Sequence, residues 1–340
     1  MAFHLLDGRF PVERAPVRAL VTGANGFLGA CLTRQLLRLG GRVRCLVRRT
    51  SDLAELSGLP VDLMYGDVVD PPSLRPALEG CEVVFHLAGI RRAPSREHFF
   101  RVNAQGTRHL CEAMSQANGR PRLVLCSSLA ASGPSSPTRP RREEDPLEPR
   151  DWYGESKAEA ERIASSFSGA IDLAIVRPCR ILGPGDRENL FFFKLVRSGL
   201  QLSVAGGPRP LSMVDVEDVV DLLLLLATRP EAIGQAFFAA GESTTLEELQ
   251  QSVGRTLGRK TRQVRVGPGT LRTLGALADG ASHLLGKYLP LNRKMVQQLL
   301  APAWTCSAEK AERLLGFRPR WSIPDSVRRS VAWYQQRGWI

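Results

Sequence analysis

Paired cysteines, clustered histidines, long apolar runs and lysine are what this chain lacks. Its seven cysteines, at 31, 45, 81, 111, 126, 179 and 306, contain no Cys-x-x-Cys pair and leave an odd number. That excludes a disulfide-stapled scaffold and fits reduced thiols in a cytosol. The five histidines, at 4, 86, 98, 109 and 283, show no ligand spacing, so no metal is expected. The first ten residues lack a basic start followed by an apolar core and do not read as a signal peptide. The most apolar run, Leu222 to Leu226 with Val219, Val220 and Ala227, is interrupted by Asp221 and falls far short of the ~20 residues of a membrane span. It reads as a buried helix, and the chain as a cytoplasmic protein without a membrane span.

Only six of the 46 basic residues are lysines; the other forty are arginines found in every segment. Against 34 acidic residues they leave a net charge of +12, which invites a nucleic-acid partner. The arginines form no stripe, however, and the densest charged run, Arg139 to Asp145, mixes both signs beside prolines as a solvated loop does. A small-molecule substrate is therefore expected, and no nucleic acid. At 340 residues and 43% hydrophobic content the chain can bury one large core and a smaller lobe. A homodimer is compatible with that size.

Val17 to Val21 is a short apolar strand that runs into Thr22-Gly23-Ala24-Asn25-Gly26-Phe27-Leu28-Gly29, which opens a helix to about Leu39. A glycine-rich turn between strand and helix lets the backbone approach a pyrophosphate, whose charge the free N–H groups of the helix N-terminus stabilise. Further strands are expected at 42–47, 61–65, 82–87, 122–127 and 171–177, with helices at 52–56, 71–78, 97–117 and 152–166. Apolar runs alternating with helices give a parallel sheet covered on both faces. Beyond Arg180 come helices at 188–198 and 216–228, strands at 200–205 and 236–240, and a helical segment from Thr270 to Leu300. The expected fold is thus α/β: a Rossmann-type doubly wound parallel sheet over 1–180, and a smaller, mostly helical substrate lobe over 181–340. Within that lobe, about 210–240 returns to the main sheet. The Pro- and Ser-rich loop from Ala130 to Asp151 is placed to flank the active site.

The chemistry is carried by Tyr153-Gly154-Glu155-Ser156-Lys157, with Ser128 following the strand that ends in Cys126-Ser127. A phenol, with a reference pKa of ~10, exchanges protons poorly at neutral pH unless a cation stands beside it. Positions i and i+4 share a helix face, so Lys157 supplies that cation and favours the phenolate of Tyr153, while Ser128 would hold the substrate oxygen. The Tyr-x-x-x-Lys spacing alone is weak, since exposed helical pairs show it too. The glycine turn upstream gives it weight.

The chain resembles the extended short-chain dehydrogenase/reductases, a group that includes nucleotide-sugar epimerases and dehydratases, 3β-hydroxysteroid dehydrogenase-like and dihydroflavonol reductase-like enzymes. The motifs that carry the likeness are Thr22 to Gly29, Gly66-Asp67, His86-Leu87-Ala88-Gly89, Asn103 in Val102 to Thr107, Ser127-Ser128, Tyr153 with Lys157, and Arg177-Pro178 leading to Gly183-Pro184-Gly185. It implies catalysis by Ser128, Tyr153 and Lys157 with Asn103 near the lysine, steadying a water or a helix kink. It implies cofactor contacts at Gly23, Asn25, Gly26, Phe27, Leu28 and Gly29, at Asp67 and Val68 beside the adenine, and at Leu87, Ala88 and Gly89. Ser127, Tyr153, Lys157, Pro178 and Ile181 would touch the nicotinamide half. The second strand ends in Arg48-Arg49 with no acid before Asp52, so NADP(H) is expected over NAD(H), a 2′-phosphate calling for arginine.

The resemblance leaves the substrate open. Sugar-nucleotide dehydratases of the group carry an Asp-Glu pair where this chain has Leu129 and Ala130, so dehydration is not expected. Many epimerases clamp a diphosphate with an arginine at the position of Leu211, where only Arg209 is near. Arg180 either pairs with Asp186 or Glu188 or adds a cation at the pocket mouth. With Arg91, Ser128, Leu129, Arg180 and Leu211 as candidate substrate contacts, the expectation is a ketone reductase or secondary alcohol dehydrogenase for a small, fairly apolar substrate. A nucleotide-sugar 4-epimerase and a non-catalytic NAD(P)-binding regulator are the alternatives.

Overall fold

The computed structural model describes residues 18–117, 119–285 and 293–340. The N-terminal ten residues, Val17 and the middle of the expected 270–300 segment lie outside the described residues. In chain order the strands are β1 (Arg18–Thr22), β2 (Arg42–Val47), β3 (Asp62–Tyr65), β4 (Val83–His86), β5 (Arg122–Cys126), β6 (Asp172–Pro178), β7 (Arg180–Leu182), β8 (Leu200–Val204), β9 (Leu211–Asp215), β10 (Gln235–Ala239), β11 (Ser243–Thr244) and β12 (Arg262–Val266). Seven of them form one sheet in the order β10-β6-β5-β4-β1-β2-β3, every neighbouring pair parallel. Central strands are apolar on both sides because helices cover both faces: every residue of β4 is buried, as are Ala19 to Thr22 of β1. This is the doubly wound Rossmann-type sheet, and the chain crosses over between β1 and β4, where such folds bind ligands outside the strand ends.

The helix Val216–Thr228 is buried almost all round, with five consecutive leucines from 222 to 226 in the core. It packs against the first helix, Phe27–Arg38, and against β5 and β6. The following strand, β10, does return to the main sheet, lying parallel to β6 with Phe237 opposite Val176. Smaller sheets, β11-β9-β7 and β12-β8, and the helices Pro268–Leu285, Arg293–Leu300 and Ile323–Gln336 build the remainder.

Three expectations need correcting. Residues 52–56 form turns instead of a helix: the Asp52 carboxylate takes the Ala54 N–H, the Leu53 carbonyl takes both Leu56 and Ser57, and Gly58 with φ +74° ends the segment. The 97–117 helix is interrupted by a π-helical stretch, Phe100–Gln105, between Arg96–Phe99 and Gly106–Ser115. The 130–151 loop begins with a short helix, Leu129–Ser132, and is then pinned to the 303–307 segment, Ser135 bridging Ala303 and Arg141 bridging Cys306.

Candidate active site

The glycine turn is as tight as its composition demands. Gly23 has φ +71°, and a Cβ there would lie 2.8 Å from the Ala88 nitrogen, while one on Gly29 would lie 2.2 Å from the Gly23 carbonyl oxygen. Only glycine fits either place, so the N-terminus of the first helix comes right up to a cleft of about 1950 Å³, open mouth included. The cleft runs from the turn, Gly23 to Gly29, past Leu87 and Gly89 to Ser127, Pro178 and Ile181, and ends at Ser128, Tyr153 and Lys157. A cradle that any Cβ would fill, faced by unpaired helix N–H groups, fits a dinucleotide pyrophosphate.

At the far end, Asp151 caps the helix Trp152–Ser165 by accepting the Gly154 N–H at 2.7 Å. Gly154 lets that helix approach closely, since a Cβ there would sit 2.3 Å from the Ala130 carbonyl oxygen. This contact brings Tyr153 to Ser128, and the two side chains line the same stretch of wall, with the Ser128 hydroxyl near enough to favour the phenolate. Burial pushes the Tyr153 phenol above its ordinary pKa, and the largest opposing influence is the Arg91 guanidinium, whose carbon is 5.9 Å from the ring centre. Burial likewise lowers Lys157, whose ammonium points to Gly89, 3.7 Å from where a Cβ would stand.

Asn103 lies in the π-helical stretch. It accepts the Ile90 N–H at 2.8 Å and donates to the Ile90 carbonyl at 3.0 Å and to Ser156 Oγ at 2.9 Å. It thus ties the loop after β4 to the tyrosine helix. Ser127 lines the cleft but donates its hydroxyl to the buried Glu161.

Other candidates stand apart from the cleft walls. Arg48 and Arg49 follow β2 and are exposed, Arg49 lying 5.3 Å over the Tyr65 ring. Asp67, after β3, accepts the Val69 N–H at 3.1 Å, and Val68 packs its side chain on Gly106. The backbone of Ala88 abuts Gly23 and donates to Thr22 Oγ1 at 3.1 Å. All follow parallel strands on the edge of the sheet that carries the glycine turn.

Beyond Tyr153 the cleft opens into a second cavity of about 990 Å³. Its walls include Leu129, Leu211, Leu246, Leu299 and Trp304, and it shares Arg91, Ser128, Tyr153 and Arg180 with the cleft. Arg209 is committed elsewhere, donating to the carbonyls of Val204, Ala205 and Gly207. Arg180 pairs with neither Asp186 nor Glu188; its Nε donates to Asn189 Oδ1, and Glu188 pairs with Arg92. Sequence reasoning missed Met295 and Gln298, which line both spaces, and Trp333 of the last long helix, which lines the cleft. No local pattern marks residues that arrive from so far along the chain.

A model of the NAD dependent epimerase/dehydratase family matches residues 19–240. The chain belongs to this family. Among curated members it is 31% identical to the ceramide reductase of Caulobacter vibrioides, over 94% of this chain and 95% of that one. It is 32% identical to sterol demethylase protein B of Methylococcus capsulatus, over 94% and 99%. The crystal structure of gox2253 superposes with a TM-score of 0.81 at 29% identity, covering 95% of this chain and 99% of that one. The likeness to extended short-chain dehydrogenase/reductases read from the motifs is therefore membership, and the chain is an enzyme of that type.

Proposed function

We propose that the protein is an NADP(H)-preferring reductase of ketones, or dehydrogenase of secondary alcohols, acting on a small, fairly apolar substrate. The observation that carries the reading is the Ser128–Tyr153 hydroxyl pair at the junction between a dinucleotide-shaped cleft and a leucine-lined cavity. When bound, a reduced nicotinamide supplies the hydride for the carbonyl carbon. Tyr153, kept protonated by its burial, gives its proton to the carbonyl oxygen, and Ser128 holds that oxygen by a hydrogen bond. Lys157, aimed at Gly89, is placed to bond the nicotinamide ribose, and Arg91 stabilises the phenolate left behind. Arg48 and Arg49, at the end of β2 beside the glycine turn, support the 2′-phosphate.

The apolar walls agree with relatives named for ceramide and sterol chemistry. A nucleotide-sugar epimerase is the second reading, favoured by the cation Arg180. Against it, Leu211 lines the cavity and Arg209 is spent on backbone carbonyls, so a diphosphate there would find no second cation beside Arg180 on that wall to offset its desolvation. A turnover screen read by reduced-nicotinamide absorbance tests this. Ketones or secondary alcohols should give cofactor-dependent change and UDP- or dTDP-sugars none; turnover of a nucleotide sugar would replace the proposal with the epimerase.

A further inference from the structure

Five arginines line the cleft and the cavity beyond it: Arg34, Arg91, Arg180, Arg187 and Arg209. Most are accounted for. Arg34 pairs with Glu55, Arg209 donates to three carbonyls, and Arg187 is exposed to water with its guanidinium 4.7 Å over the Trp339 ring. Arg91 faces the Tyr153 ring.

Arg180 is different. It sits on β7, lines both spaces, and is mostly shielded from solvent. Its Nε is held by Asn189 Oδ1, its guanidinium carbon lies 5.4 Å from the centre of the Phe192 ring, and among the described residues no carboxylate lies within ion-pair distance of it. The nearest acid in sequence, Asp186, is already used: its oxygens take the Asn189 amide and the Glu188 N–H, the latter at 2.7 Å. Asn189 therefore aims the guanidinium while keeping it apart from Asp186. A shielded guanidinium cannot shed its charge, and with Asp186 and Glu188 acting on it only from beyond contact distance, part of its desolvation cost is left for a ligand anion to recover.

Resting on the reductase reading above, we infer that Arg180 is the anion-binding element of the substrate site, and that the substrate is an amphiphile with a carboxylate beside the reacting carbonyl and an alkyl tail along Leu129, Leu211, Leu246 and Leu299. The placement follows from shared walls. Arg180 and Tyr153 border both spaces, so an anion on Arg180 lies close to an oxygen held by Tyr153 and Ser128, while the apolar wall extends away from both. A guanidinium fork fixed at one nitrogen offers its remaining N–H groups to a planar carboxylate.

Calorimetric titration of the full chain, with and without NADPH, tests this using decanoate, decan-1-ol and UDP as probes. Decanoate should bind, and Arg180→Gln should weaken it about tenfold or more, the worth of a charge-assisted hydrogen bond. Decan-1-ol should change less than threefold, and Arg180→Lys, which keeps the charge but loses the fork, should fall between. Equal weakening of decanoate and decan-1-ol, or no decanoate binding to the unmutated protein, would reduce Arg180 to a packing residue and overturn the inference. A loss of NADPH affinity in Arg180→Gln with decanoate unaffected would assign the anion to the cofactor, and UDP binding more tightly than decanoate would assign it to a nucleotide; either result overturns it as well. Because none of these readouts needs turnover, failure of the reductase reading, seen as no ketone being reduced, is a separate result.

Discussion

Arg177 grips both carboxylate oxygens of Glu161, Nη2 to Oε2 at 2.7 Å and Nε to Oε1 at 3.0 Å, with both side chains less than a tenth exposed. The same carboxylate receives the Ser127 hydroxyl, so one buried acid joins β6, the tyrosine helix and the residue next to Ser128. Glu161→Gln leaves a buried guanidinium without its charge partner. It should cost on the order of 3–5 kcal/mol of unfolding free energy in a urea titration, as breaking buried pairs does. A loss below about 1 kcal/mol would mean that water reaches the pair.

Tyr153→Phe removes the hydroxyl proposed to donate the proton and keeps the ring against Phe99, 6.4 Å between centroids. Turnover should fall about a hundredfold or more while cofactor affinity hardly changes. Retained turnover would move the proton transfer to another group.

Replacing Arg48 with Asp and Arg49 with Ala should reverse the order of NADPH and NADH affinities, since a charge-assisted contact to phosphate is worth roughly 1.5–3 kcal/mol. Fluorescence titration of both cofactors checks it. Equal affinities in the unmutated protein would show that these two exposed arginines only face solvent.

Gly29→Ala forces a methyl group against the Gly23 carbonyl, 2.2 Å from an ideal Cβ. The turn must open, so cofactor affinity should drop at least tenfold together with a lower Tm. Unchanged affinity would show that the turn does not cradle the ligand.

Stability should depend on pH through Asp218. Burial pushes its carboxyl up to about 7, against the N–H groups of Arg320 and Trp321, which it accepts at 2.9 and 3.3 Å. Asp221 is likewise raised by burial, to about 6. The folded state holds these protons when the unfolded chain has already released them, so stability should fall as pH rises from about 4 to about 7 and level off above. Asp218→Asn removes the titrating proton, keeps an acceptor for one of the two N–H groups, which bind different oxygens of Asp218, and should flatten the slope in denaturation midpoints even if overall stability is lower. An unchanged slope would place the titrating group elsewhere.

Much of this was legible in the sequence because it is local. The strand, glycine turn and helix from Arg18 to Arg38 are one continuous pattern, and the helix from Trp152 announces itself through an Asp cap and the Tyr-x-x-x-Lys spacing. Even the return of β10 could be read from the apolar run at 236–240. The parts that escaped depend on distance. Glu161 reaches Arg177 across a helix and a strand, and Met295, Gln298 and Trp333 reach the cleft from the last fifth of the chain. Nothing in their own neighbourhoods marks them. The 52–56 turn failed for the opposite reason: a single aspartate and a glycine outcompeted the weak helical preference between them.

The position of β10 at the sheet edge bears on how the chain can be assembled. β6 leaves one side unpaired until residues 235–239 arrive, more than fifty residues later, after β7, β8 and β9 have been made. A fragment stopped near residue 180 would hold the glycine turn and Tyr153 yet present a bare edge of apolar strand, ready to pair with another copy. During synthesis the β6 edge stays unpaired until residues 235–239 have emerged, when β10 takes over as the terminal strand of the sheet.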